Sequence, residues 1–216
     1  MKRFGRLFLT LAAALLPPVA CAQDSNSAQL TSRAKEARHV GRYDEAITLG
    51  RQALARDSSN ANAARVLIHA LSDVGRYDEA TTAGEGYRNA THGATDADVL
   101  LGDVLRSRGL GQQARAAYER ALKGPDSLTA RLQLATLAIE RGDRDEAMRA
   151  FDGFIDVYRV QRARLSADEL RAVAVACRYL GRDNPQLYKD ALRVYDEAIA
   201  RDSSNLDTRT ELGFLF

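Results

Sequence analysis

The hexapeptide Gly41-Arg42-Tyr43-Asp44-Glu45-Ala46 returns letter for letter at Gly75 to Ala80, 34 residues later. A mixed polar and apolar hexapeptide repeated at such an interval points to one structural unit used again and again. Two series extend the pattern. Glycines precede a polar turn at Gly41, Gly75, Gly109, Gly142 and Gly181, in steps of 34, 34, 33 and 39. Alanines follow at Ala46, Ala80, Ala114, Ala147 and Ala191, in steps of 34, 34, 33 and 44. The series part only in the fifth unit, where five extra residues fall within RDNPQLYKDA. A third echo keeps the same register: LARDSSNA ends at Ala61 and IARDSSNL ends at Leu206, 145 residues on.

Each unit reads as two helices joined by a tight turn. In the first, helix A is expected over 27–39, the turn at Val40 to Arg42, and helix B over 43–55. Gly41 suits the position just past helix A, where the backbone turns left-handed. Asp44 and Glu45 then fall in the first turn of helix B, facing the positive end of its dipole. Asp78-Glu79 and Asp145-Glu146 repeat the arrangement. Paired carboxylates also suit acid–base catalysis, but the dipole accounts for all three pairs at once. Helix B carries small and aromatic residues on one stripe: Ala114, Tyr118 and Ala121, or Ala191, Tyr195 and Ala198, with Ala147, Phe151 and Phe154 as a bulkier version. Ser166-x-x-Glu169 is a capping box, and Thr95-x-x-Asp98 and Asn26-x-x-Gln29 resemble one. DSSN supplies further caps at Ser59, Asn60, Ser204 and Asn205. The connection DVYRVQRARLSADE either extends helix B of the fourth unit or kinks it. Helix formers dominate and no run alternates with period two, so the chain is expected to be all-α.

The first 22 residues stand apart. Lys2, Arg3 and Arg6 precede the apolar run Leu7 to Leu16, Pro17 and Pro18 break it, and Ala20-Cys21-Ala22 offers a cleavage site before Gln23. This is the layout of a secretory signal peptide, too short to span a bilayer. It predicts export, with the periplasm as destination. PVAC also resembles a lipobox, which would lipidate Cys21 and anchor the chain to an outer membrane; membrane attachment is expected only in that case. Without residues 1–22 the basic count falls from 31 to 28, against 29 acidic residues. The remaining chain is nearly neutral and carries no broad electrostatic footprint for nucleic acid. Cleavage after Ala22 leaves Cys177 as the one cysteine, on an apolar helix face, where a small buried hydrophobe is expected.

A 34-residue unit of L-G-x-x-(aromatic or Leu), then Gly, then A-x-x-x-(aromatic)-x-x-A, resembles the tetratricopeptide repeat. The third unit carries it best: Leu101, Gly102, Leu105, Gly109, Ala114, Tyr118, Ala121. Departures are the missing Trp, Ser58 and Ser203 in place of Pro, and Gly50 and Gly84 in place of the helix-B aromatic. The second unit carries three glycines and several threonines within EATTAGEGYRNATHG, so its helix B is expected to be the weakest. The resemblance implies a right-handed α-solenoid of about five and a half units. They are expected at 27–60, 61–94, 95–127, 128–166 and 167–205, with a partial one at 206–216.

It also implies a concave groove lined by the inner faces of the A helices. The groove residues are then Lys35, Arg38 and His39, followed by Arg65, His69 and Asp73. Asp103 and Arg106 come next, then Thr136 and Glu140, and last Arg171 and Arg178. The first two units are the more basic, so an acidic peptide would be steered there. Read without a ligand, the same face is a solvated charged surface. Some relatives clamp a carboxylate tail with two Lys, an Arg and two Asn; here Thr31, Lys35, Val66, Asp96 and Leu100 hold those places, so that clamp is not expected. His39, His69 and His92 show no metal-ligand spacing, and no phosphate loop or nucleophile elbow occurs. No cofactor is expected.

The function implied is a non-catalytic scaffold of a bacterial cell envelope that binds a protein or peptide. Two alternatives stand beside it: the accessory N-terminal region of a longer exported enzyme, such as a hydrolase, and an outer-membrane assembly lipoprotein. The ending TELGFLF exposes Leu212, Phe214, Leu215 and Phe216 in an incomplete unit. A longer parent protein, edge association through this apolar helix, or packing on helix B of the fifth unit would each account for it.

Overall fold

The computed structural model describes residues 19–124, 127–203 and 205–215. Residues 1–18 of the expected signal segment, together with Ser204 and Phe216, lie outside the described residues. Eleven α-helices follow one another with no strand among the described residues. They are α1 (Val19–His39), α2 (Tyr43–Arg56), α3 (Ala61–Asp73), α4 (Tyr77–Ala90), α5 (Thr95–Ser107) and α6 (Gly111–Ala121). The second half comprises α7 (Ser127–Glu140), α8 (Arg144–Gln161), α9 (Ala167–Leu180), α10 (Pro185–Arg201) and α11 (Leu206–Gly213). Consecutive helices pack as hairpins, and the odd-numbered helices α1, α3, α5, α7 and α9 also stack on one another. The result is a right-handed all-α solenoid with the odd helices on its inner side.

The repeated glycine sets the hairpin turn. Gly41, Gly75, Gly109 and Gly142 all have φ between 75° and 82°. In each turn the glycine N–H reaches back three residues, and the next N–H reaches back five. Gly41 donates to the carbonyl of Arg38 at 3.0 Å and Arg42 to that of Ala37 at 2.8 Å; Gly75 and Arg76 repeat this with Ser72 and Leu71. These are Schellman bonds, which satisfy the last carbonyls of the first helix while reversing the chain. Gly181 departs from the series, with no positive φ. Its reason is steric: a Cβ there would stand 2.8 Å from the backbone N of Tyr188. The five extra residues form the N-terminal turn of α10, capped by Asn184 and opened by Pro185, and they lean on this glycine.

All five repeat alanines have no exposed surface. Four residues later the stripe carries Tyr118, Phe151 and Tyr195, which are fully buried. Gly50 and Gly84 take that place in the first two units. At Gly50 an added Cβ would meet the Leu67 Cβ at 3.0 Å, so the next inner helix fills the space instead. In α4 the aromatic moves one turn on, to the buried Tyr87, whose hydroxyl donates to Asp96 at 2.7 Å. The helix α4, the expected weak one, still spans 14 residues with two glycines inside it. Apolar burial is spread over four clusters along the array, with no single centre.

Several expected boundaries shift. The helix α1 begins at Val19, so Asn26 lies inside it and starts nothing. Ala94 precedes α5, and Asp98 is buried against Arg120 at 3.1 Å, so Thr95-x-x-Asp98 is no capping box. Ser166 and Glu169 do form one at α9. Asn60 and Asn205 cap α3 and α11, accepting from the N–H of Ala63 at 2.9 Å and of Thr208 at 3.1 Å. The connection after the fourth unit does both things foreseen: α8 lengthens to Gln161, and a 3-10 turn at Arg162–Arg164 then redirects the chain. Arg201 from α10 donates to the carbonyls of Arg162, Ala163 and Leu165 and pins that turn. Cys177 is buried, and burial pushes its thiol up to about 12.

Two stability tests follow from the glycines. At Gly75 an alanine is forced into the left-handed region, so Gly75→Ala is expected to lower stability by about 1–2 kcal/mol. Gly86 lies inside α4 with open space around it; Gly86→Ala is expected to raise stability by about 0.5–1 kcal/mol. Urea midpoints measured on both variants check the opposite signs. Gly102 sits under the buried Tyr118 ring, where a Cβ would stand 2.4 Å from Cε1. Gly102→Ala is expected to cost about 1–3 kcal/mol through overpacking. A double-mutant cycle with Tyr118→Leu should return most of that loss, since the clash partner is gone.

Candidate functional site

The inner side of the solenoid is an open cleft of about 520 Å³. Its walls come from α1, α3, α5, α7, α9 and α11. The sequence-predicted residues Arg38, Arg65, His69, Asp73, Asp103, Arg106 and Arg171 line it. Lys35 and His39 border a small recess beside Arg38, shared with Asn205 and Asp207. Thr136 and Glu140 lie on α7 outside the lining, which takes Thr129 and Gln133 from that helix; Glu140 pairs with Arg106. Arg178 is outside the lining; its guanidinium lies 5.5 Å from the Tyr179 ring. Thr31, Val66 and Leu100, at the places of the carboxylate clamp, are buried. Thr31 spends its hydroxyl on the carbonyl of Ser27 at 2.8 Å.

The charges of this face form a ladder. Arg38 Nε meets Asp73 Oδ2 at 2.8 Å, linking α1 to α3. His69 Nε2 stands 3.6 Å from Asp103 Oδ2, an ionic contact when the imidazole is protonated. Arg106 meets Glu140 at 3.1 Å and Arg171 meets Glu211 at 2.5 Å. Each rung joins one inner helix to the next. The rungs have a sequence signature, since the partners stand about one repeat apart: 35 residues for Arg38 and Asp73, 34 for Arg106 and Glu140, and 40 across the lengthened fifth unit. The sequence reading placed these residues on one face without pairing them. Tyrosines steady two carboxylates from beneath: Tyr118 donates to Asp103 at 2.8 Å and Tyr195 to Glu211 at 3.3 Å. Burial, with the neighbouring Asp103 charge, raises the Tyr118 pKa, so the hydroxyl stays a donor.

Two further pairs cross the cleft. Arg65 Nη1 on α3 meets Asp168 Oδ2 on α9 at 2.6 Å. Arg38 Nη1 on α1 meets Asp207 Oδ1 on α11 at 3.5 Å. The array curves far enough for its first helix to touch its last. Burial works to lower the Arg65 pKa, but the charge and hydrogen bond of Asp168, with Asp96 beyond, outweigh it and hold the guanidinium above its ordinary value. Arg171 is likewise raised, with Glu211 outweighing burial. Both arginines therefore remain charged. This pairing qualifies one expectation: two of the basic residues of the first two units are already engaged within the chain. Arg38 and Arg65 already hold carboxylates of this chain. The 34-residue pattern could not foresee Asp168, Asn205 and Asp207 in the lining, because their place depends on the curvature of the whole array.

Packing accounts for two of the apolar residues after α10. Leu212 and Leu215 pack against the apolar cluster of the fourth and fifth units, and Tyr188 donates to the carbonyl of Leu215 at 3.3 Å. Phe214 remains 80% exposed.

Comparison with known proteins agrees with this architecture. A family model of the tetratricopeptide repeat matches residues 37–98, from the end of α1 into α5. A sequence comparison with curated proteins gives no match. Among solved structures, a thermophilic tetratricopeptide-repeat protein of Thermus thermophilus is similar, with 19% identity over 88% of this chain and 98% of that one, and a TM-score of 0.53. PilF of Pseudomonas aeruginosa is similar over 89% of this chain and 91% of its own, with 15% identity and a TM-score of 0.53. At such identities the likeness speaks for the fold. With the matched repeats, the four Schellman turns and the buried alanine stripe, it makes this chain an α-solenoid of tetratricopeptide-like helix–turn–helix repeats.

Proposed function

We propose that the protein is a non-catalytic scaffold that holds a peptide or protein segment in its inner cleft. The observation that carries this reading is the cleft itself: about 520 Å³, open along the array, lined by polar side chains from six helices. A polypeptide in extended form offers hydrogen-bonding groups along its length, and Asn62, Gln133 and Asn205 line the cleft with neutral donors and acceptors between the charged rungs. Among the described residues, no His, Cys, Asp and Glu group is placed to hold a metal. The Asp-Glu pairs at the starts of α2, α4 and α8 lie away from the cleft lining, at the positive helix ends.

Peptide selection from a displayed random library tests this reading. Peptides enriched on the wild-type chain are expected to lose at least about ten-fold in affinity for Asn62→Trp with Gln133→Trp, which fill the cleft without touching its charges; that is the loss of roughly 1.4 kcal/mol of contact. Enriched peptides that bind both forms equally would place recognition elsewhere.

The proposed setting is the envelope of a bacterium, read from the basic start, the apolar run Leu7 to Leu16 and the Ala20-Cys21-Ala22 site. Cleavage after Ala22 leaves α1 beginning at Gln23, before the first ladder residue. Fractionation and the mass of the mature protein check it: the expected product is periplasmic and starts at Gln23, a lipid-bearing Cys21 would mark the anchored form, and an uncleaved Met1 in the cytoplasm would contradict export.

A further inference from the structure

The two pairs that cross the cleft differ from the ladder. A ladder rung joins helices that the solenoid stacks in any case. The pairs Arg65–Asp168 and Arg38–Asp207 exist only because the array curves back on itself. Arg38 already holds Asp73 at 2.8 Å, so Asp207 is a second carboxylate on the same guanidinium. Arg65 receives its carboxylate from a residue 103 positions away. Asn205 ties the two contacts together: its side chain donates to Asp168 at 3.3 Å and caps α11, which carries Asp207. The arginines of the first two units thus face carboxylates delivered by the last two, across the space that a ligand would occupy.

We infer that these pairs form an intramolecular latch, in which Asp168 and Asp207 stand in for the carboxylates of a bound partner. An acidic polypeptide segment presenting two carboxylates displaces them, takes Arg65 and Arg38, releases α9 and α11 from α3 and α1, and widens the cleft. The inference rests on the groove reading above and names its partner class. Both pairs are partly open to water, with side-chain exposures of 24% to 57%. Exchange of one carboxylate for another at such a site changes little in solvation. Salt weakens it, because charges in contact with water are screened over ~10 Å at ~0.1 M ionic strength.

Small-angle X-ray scattering of the full chain reads the closure directly. Asp168→Asn with Asp207→Asn is expected to raise the radius of gyration and the maximum dimension at low salt, and added salt to move the wild type the same way. Unchanged dimensions in the double variant overturn the latch. Fluorescein-labelled hexaglutamate then tests the partner class by anisotropy. It is expected to bind the double variant at least about five-fold tighter than the wild type, the lower end of ordinary coupling between two sites. Binding should vanish in Arg38→Glu with Arg65→Glu. Equal affinity for wild type and double variant, or a preference for labelled hexalysine, overturns the proposal. The cleft-filling pair Asn62→Trp and Gln133→Trp separates the two readings: selected peptides that still depend on the cleft while hexaglutamate fails leave the scaffold standing and remove the latch. Should the double variant lose its helical circular dichroism, Asp207→Asn alone keeps both Arg38–Asp73 and Arg65–Asp168, and carries the same scattering and anisotropy tests with smaller shifts.

Discussion

No hairpin of this chain can bury its own apolar stripe. The alanines at the start of each outer helix have no exposed surface, but Ala alone buries little area. Most of the driving force comes from the larger residues beside them, Tyr118, Phe151, Phe154, Ile68, Leu71 and Leu170 among them. Each is worth about 1.5–3 kcal/mol when fully buried. Those side chains reach full burial only when the next hairpin closes over them. The small residues decide how near that hairpin can come, and the positive-φ glycine decides where it points. Stability is therefore a property of interfaces between units, as in other one-dimensional arrays. The cleft follows from the same constraint, because stacking the odd helices side by side leaves one face of each without a neighbour.

How much of this was legible in the sequence depends on how local its cause is. The turn was legible, because a Schellman bond involves residues three and five apart and the glycine it needs repeats every 34 residues. The inward face of each odd helix was legible too, because spacings of three and four decide it. Gly181 shows the limit. It keeps the register of a turn glycine, yet its place is fixed by the backbone of Tyr188 across the hairpin. Tyr87 shows the same limit from the other side: the aromatic missing at Gly84 is supplied one turn later, which no single-position pattern reports. Asp168 and Asp207 were illegible for a larger reason. Their meeting with Arg65 and Arg38 sums small rotations over the whole array.

The ladder is better understood as a device of alignment than of stability. Exposed ion pairs contribute roughly 0–1 kcal/mol each, since two long side chains must be ordered to form them. Arg38, Arg106 and Arg171 are all partly open to water, so their rungs fall in that range. What they do is neutralise the inner face in register. Any surplus charge there would repel its copies on the adjacent helices, only a helix diameter away. Opposite charges one repeat apart convert that repulsion into alignment. A partner that enters the cleft then meets few free charges, and must either thread between the rungs or exchange with one.

Exchange is easiest where the protein gains least from its own pair. Breaking a ladder rung leaves the two helices stacked, with two charges newly unpaired and no space gained. Breaking a pair across the cleft also removes a bend, and gives the incoming chain room for its backbone. The cost of the second is small for the same reason that surface pairs are weak. A ligand moves such an equilibrium only by the difference in its affinity for the two forms. A segment with a single carboxylate gains one arginine and little else. A segment with two, spaced to reach both α1 and α3, gains both arginines together with the contact area that opens between α3 and α9. The curvature of the array thus does more than shape the cleft: it makes occupancy and closure alternatives of one another.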